Sequence, residues 1–118
     1  MRKSKRIKLD TYNCFVTVTI TDQLKSVANM LYRKMKSKDS FTFEAEGVVI
    51  TFDIDNYYII LDTQYLTNNT ICHELYHAVV KVTEDREIVD EEAQAWLMGY
   101  LAQIVYRFVY KCGYKVVI

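Results

Sequence analysis

Residues 57–77 read Tyr57-Tyr58-Ile59-Ile60-Leu61, then Asp62-Thr63-Gln64-Tyr65-Leu66-Thr67-Asn68-Asn69, then Thr70-Ile71-Cys72-His73-Glu74-Leu75-Tyr76-His77. The first five residues form a short, almost wholly apolar strand. The polar middle is a loop, and Asn68, Asn69 or Thr70 supplies the N-cap of a helix. That helix runs to about residue 82 and contains the only two histidines of the chain.

Upstream, residues 12–21 (YNCFVTVTIT) are rich in β-branched side chains and read as a strand. Thr21 or Asp22 then caps a helix whose stripe is Leu24, Val27, Ala28, Leu31 and Met35. Residues 41–52, around Gly47, read as a hairpin-like strand region, and Asp53-Ile54-Asp55-Asn56 is turn chemistry. Downstream, Asp90 caps a long helix to about residue 110, Gly113 ends it, and residues 114–118 can add a short strand. The order is β-α-β-β-α-α, an α+β layout.

With 118 residues the chain has room for one domain, spanning residues 1–118. Hydrophobic residues make up 51% and charged residues 25%, a globular balance. Lys+Arg and Asp+Glu are 15 each, so the neutral chain lacks the charge of a dedicated nucleic-acid binder. No apolar run approaches the ~20 residues that span a bilayer, so no membrane partner is expected. Residues 1–10 begin basic, without the apolar run of a secretory signal, and are expected to be a flexible, solvated tail. Cys14, Cys72 and Cys112 are odd in number and widely spaced, which fits a reduced, cytoplasmic chain.

His73-Glu74-Leu75-Tyr76-His77 matches HExxH. On a helix, residues four apart lie on one face, so both imidazoles can reach one Zn²⁺. Glu74 points to the side of the metal, where it can act as general base on a bound water. A catalytic zinc takes three protein ligands and keeps one position open. No third histidine exists, so a carboxylate must complete the set, and the candidates are Asp90, Glu91 and Glu92. Ala95, Gly99 and Ala102 share a face with Glu92, a small-residue stripe that would let the last helix approach closely. Glu92 is therefore the expected third ligand, with Asp90 as N-cap and Glu91 as favourable first-turn charge. The expected cofactor is one Zn²⁺ per chain on His73, His77 and Glu92.

With HELYH followed by Glu92-Ala93-Gln94-Ala95, the chain resembles the gluzincins, zinc metallopeptidases whose third ligand is a downstream Glu. Trp96 stands where an Asp often follows in such families. Residues 70–106 are similar, more particularly, to small HExxH proteins encoded by bacteriophages and prophages. The resemblance implies a minimal zincin-like fold, in the host cytoplasm or a virion, with residues 57–61 as the edge strand that binds extended peptide.

Cys72 points about 100° away from His73 and is expected to pack rather than ligate. Trp96 and most of the ten tyrosines are expected in the core, with Tyr57, Tyr65 or Tyr100 as candidate oxyanion donors. The expected function is zinc-dependent hydrolysis of a peptide or protein substrate, with Glu74 moving the proton. The alternatives are a non-catalytic zinc-binding virion or regulatory module, and a non-peptidase hydrolase using the same site.

Overall fold

The computed structural model describes residues 2–117. Its elements are β1 (Arg2–Leu9), β2 (Cys14–Thr21), α1 (Leu24–Lys34), β3 (Gly47–Thr51), β4 (Asn56–Asp62), α2 (Asn68–Asp85) and α3 (Glu91–Lys111). Short 3₁₀ turns lie at Asp10–Tyr12 and Thr63–Tyr65. The α+β class holds: three helices and one mixed four-stranded sheet, in the order β1-β2-β4-β3. β2 and β4 are parallel, with Val16 opposite Tyr57 and Ile20 opposite Leu61. β1 and β3 flank them antiparallel.

Strand alternation assigns each helix its layer. Cys14, Val16, Val18 and Ile20 of β2 and Tyr57, Ile59 and Leu61 of β4 share one face, where they join Leu75, Val79 and Val82 of α2 and Leu97, Leu101 and Val105 of α3 in the main core. Ile60 and Ile50 point the other way and pack with Leu24, Val27 and Ala28 of α1. Among the described residues, no helix is long and apolar enough to cross a membrane.

Three expectations are corrected here. Residues 2–9 of the expected tail form β1; Met1 lies outside the described residues. The apolar strand β2 has two edges to satisfy, β4 takes one, and Ile7 and Leu9 of β1 are buried on the other. Ser4 Oγ and Thr19 Oγ1 also lie 2.8 Å apart across this pair. Residues 57–61 belong to an interior strand, paired on both sides, and the edge strands are β1 and β3. At the C-terminus Val117 makes a single bridge to Thr67 and joins no strand of the sheet; Ile118 lies outside the described residues.

Arg86, after the end of α2, ties distant segments together. Its guanidinium donates to the carbonyls of Tyr12 at 2.9 Å, Ile54 at 2.6 Å and Val82 at 3.2 Å, and to the Tyr57 hydroxyl at 3.0 Å. The Tyr57 hydroxyl in turn donates to Asp85. Burial, together with that hydrogen bond, leaves the Tyr57 phenol pushed up to about 12, so it stays protonated. Arg86→Met keeps much of the apolar stem and removes the donors. It is expected to cost about 2–4 kcal/mol, read as a lower urea midpoint at unchanged slope. A loss within about 0.5 kcal/mol would show that water replaces these bonds.

Candidate metal centre

Thr67 caps α2, its Oγ1 accepting the N–H of Thr70 at 3.0 Å. The C-terminal segment steadies the same end, where Asn68 N donates to Val117 O at 3.0 Å. One turn further along α2, His73 and His77 lie on one exposed face. Their Nε2 atoms are 3.1 Å apart, with ring planes at 79°. Ligands 2.0–2.1 Å from a tetrahedral ion stand about 3.3 Å apart, so the two nitrogens are already at nearly the separation one Zn²⁺ requires. The same spacing lets one Nε2–H donate to the other ring.

Glu74 is turned inward from the histidines and is only 6% exposed. Its Oε2 lies 4.0 Å from His73 Nε2. Burial pushes the Glu74 carboxyl up from its ordinary value, partly offset by His73 and His77. The lid over Glu74 is the start of β3. A Cβ on Gly47 would fall 2.8 Å from Glu74 Cγ, so only glycine lets the strand come this close. Gly47 and Glu46 line a shallow groove of about 310 Å³ with Asn69, Thr70, His73 and Glu74. Within it the Thr70 hydroxyl donates to Glu46 at 3.0 Å.

Gly47→Ala must therefore displace the Glu74 side chain. The expected cost is about 1–3 kcal/mol, the usual range for overpacking a close contact. Urea unfolding of variant and wild type checks it. Wild-type stability in the variant would show that β3 can lift away from α2.

The structure does not bring Glu92 to the histidines. The core face of α3 is Leu97, Leu101, Val105 and Val109, whereas Ala95 and Gly99 are exposed and a Cβ on Gly99 would meet nothing. Ala95 and Gly99 of the small-residue stripe thus face solvent with the exposed Glu92, while Ala102 is half-buried against the main core. α3 meets α2 at Thr83, through Gln94 at 3.4 Å, and at Cys72, whose Sγ is 3.6 Å from the Tyr106 hydroxyl. That side lies about 80–140° around α2 from His73 and His77. Among the described residues, no three His, Cys, Asp or Glu side chains converge as a metal set. Asp90 does cap α3, its Oδ1 accepting the Glu92 N–H at 3.0 Å, and Glu91 sits in the first turn as expected.

Other residues move from their expected places. Trp96 is 53% exposed and stacks on Tyr100 with ring centroids 5.2 Å apart. Cys72 is exposed, so it does not serve as buried packing. Tyr57 is occupied by Asp85 and Arg86 at the far end of α2, and Tyr100 lies beside β1. Of the three oxyanion candidates, only Tyr65 precedes α2 directly, in the 3₁₀ turn before its cap. The sequence reading missed Gly47 and Glu46 as site residues. A lone glycine opening a strand is the signal for a close backbone approach and marks Gly47; nothing marks Glu46. No protein-family model, curated protein or solved structure matches the chain.

Proposed function

We propose that the chain is a zincin-like, zinc-dependent hydrolase that cleaves peptide bonds at the surface between α2 and β3. The observation that carries this reading is the convergence of His73 and His77 with the buried Glu74 carboxylate beside them. A purely structural zinc site needs no general base, and it favours cysteine donors.

His73 and His77 would hold the ion as two of the three protein ligands a catalytic zinc takes, and among the described residues no third donor stands with them. When bound, Zn²⁺ supplies Lewis acidity and a water acidified to near neutrality. Glu74 takes one proton from the attacking water as its oxygen bonds to the scissile carbonyl carbon. As the C–N bond breaks, Glu74 returns that proton to the leaving amine. A carboxyl raised by burial suits both directions of transfer. β3 is an edge strand beginning against Glu74, so an extended substrate can add to it through main-chain hydrogen bonds.

The test is a paired measurement on protein purified without added metal. Metal analysis should find about one Zn²⁺ per chain. A digest of denatured proteins, read by mass spectrometry, should show cleavage that a chelator abolishes. Zinc-loaded protein that cleaves nothing would replace this reading with the non-catalytic module.

A further inference from the structure

β1 is the other edge of the sheet, and a groove of about 720 Å³ opens between it and α3. Lys3, Lys5, Arg6 and Lys8 of the strand and Arg107 and Lys111 of the helix line it. Among the described residues, no carboxylate lines it. Tyr100, Ile104 and Phe108 add an apolar and aromatic wall. Both odd and even residues of β1 contribute, so the groove follows the unpaired edge of the strand rather than one face of the sheet.

Lysines on an edge strand block pairing with a second copy, because like charges would then face each other. That role explains the cations of β1. It leaves unexplained Arg107 and Lys111, which come from a different element and face the same groove. The chain carries 15 basic and 15 acidic residues, so this concentration is segregated charge on a neutral protein. Lys3 is held by the Cys112 carbonyl at 3.2 Å, Arg6 lies over the Phe15 ring, and Lys8 pairs with Asp10 at 3.5 Å. Among the described residues, Lys5, Arg107 and Lys111 form no ion pair.

We propose that the β1–α3 groove docks an acidic segment of another protein, bound extended as an added strand on β1. Free main-chain N–H and C=O groups along the edge fit a peptide backbone, and the cations fit its carboxylates. Single-stranded nucleic acid would need open aromatic faces for its bases; of the groove's aromatic rings, Tyr100 has one face covered by Trp96 and Phe108 is half-buried against the core. The groove lies across the sheet from β3, about 14 Å away at the usual strand spacing, and the proposal does not depend on the metal centre.

The probe is a fluorescein-labelled peptide of alternating Glu and Val, followed by anisotropy at low and physiological salt. Saturable binding that weakens with salt is expected. Charge reversal at the two exposed helix positions, Arg107→Glu with Lys111→Glu, should weaken it by about tenfold or more. In the unmodified protein, the peptide should slow hydrogen exchange at the β1 amides that do not bond to β2, and leave β3 unchanged. Glu74→Gln should bind the peptide as the wild type does. No saturable binding, binding indifferent to charge reversal, or protection away from β1 would each overturn the proposal. Tighter binding of labelled oligothymidylate than of the peptide would overturn it in favour of nucleic acid.

Discussion

His77→Ala, purified beside the wild type, should lose zinc affinity by more than about 100-fold, because loss of outer hydrogen-bond partners alone costs 10–100-fold. His77 is exposed on α2, so alanine should change the stability of the metal-free fold by no more than about 0.5 kcal/mol. Metal loss can then be separated from unfolding by urea titration in a chelator. Glu92→Ala is the informative partner. Glu92 lies on the solvent side of α3 with the exposed Ala95 and Gly99, and its removal should leave zinc affinity within about twofold. Competition titration with a chromophoric chelator measures both variants. If Glu92→Ala matches His77→Ala, the first turn of α3 must rearrange around the metal, and the third ligand implied by the gluzincin resemblance stands.

The elements that could be read from the chain are those whose apolar residues repeat at a clear period. The stripe Leu24, Val27, Ala28 and Leu31 marked α1, and the alternation through β2 and the apolar run of β4 marked the two central strands. β1 was not legible because only Ile7 and Leu9 betray its buried face, and the cations around them resemble a tail. Its strand state depends on β2 having an open edge, which is a property of the assembled sheet. The side of α3 that packs is hidden from the sequence for a related reason. Small residues permit close approach without causing it, whereas Leu97, Leu101, Val105 and Val109 gain free energy by leaving water and so turn Gly99 and Trp96 outward. At the candidate site, helical geometry alone places His73 and His77 on one face. The burial of Glu74 could not be read there, because its cover is Gly47, from a strand distant in sequence.

Glu74→Gln should abolish chelator-sensitive cleavage, or lower it about 10²–10⁴-fold, while leaving fold and zinc content intact. The substitution preserves volume beneath Gly47, so β3 need not move. It removes a buried ionisable group whose charged form burial already disfavours, so stability should hold or rise slightly. Glutamine cannot accept the water proton, so the loss belongs in the catalytic step, in kcat more than in KM. The digest compares wild type, Glu74→Gln and wild type with chelator under identical conditions. Cleavage by the wild type alone supports general-base catalysis by Glu74. Equal cleavage in wild type and variant, both abolished by chelator, would leave the metal in place and remove Glu74 from the chemistry. Equal cleavage that ignores the chelator would identify a contaminating protease. Loss of zinc from Glu74→Gln would instead make Glu74 a ligand, with its carboxylate swung from beneath β3 toward His73 Nε2, now 4.0 Å away.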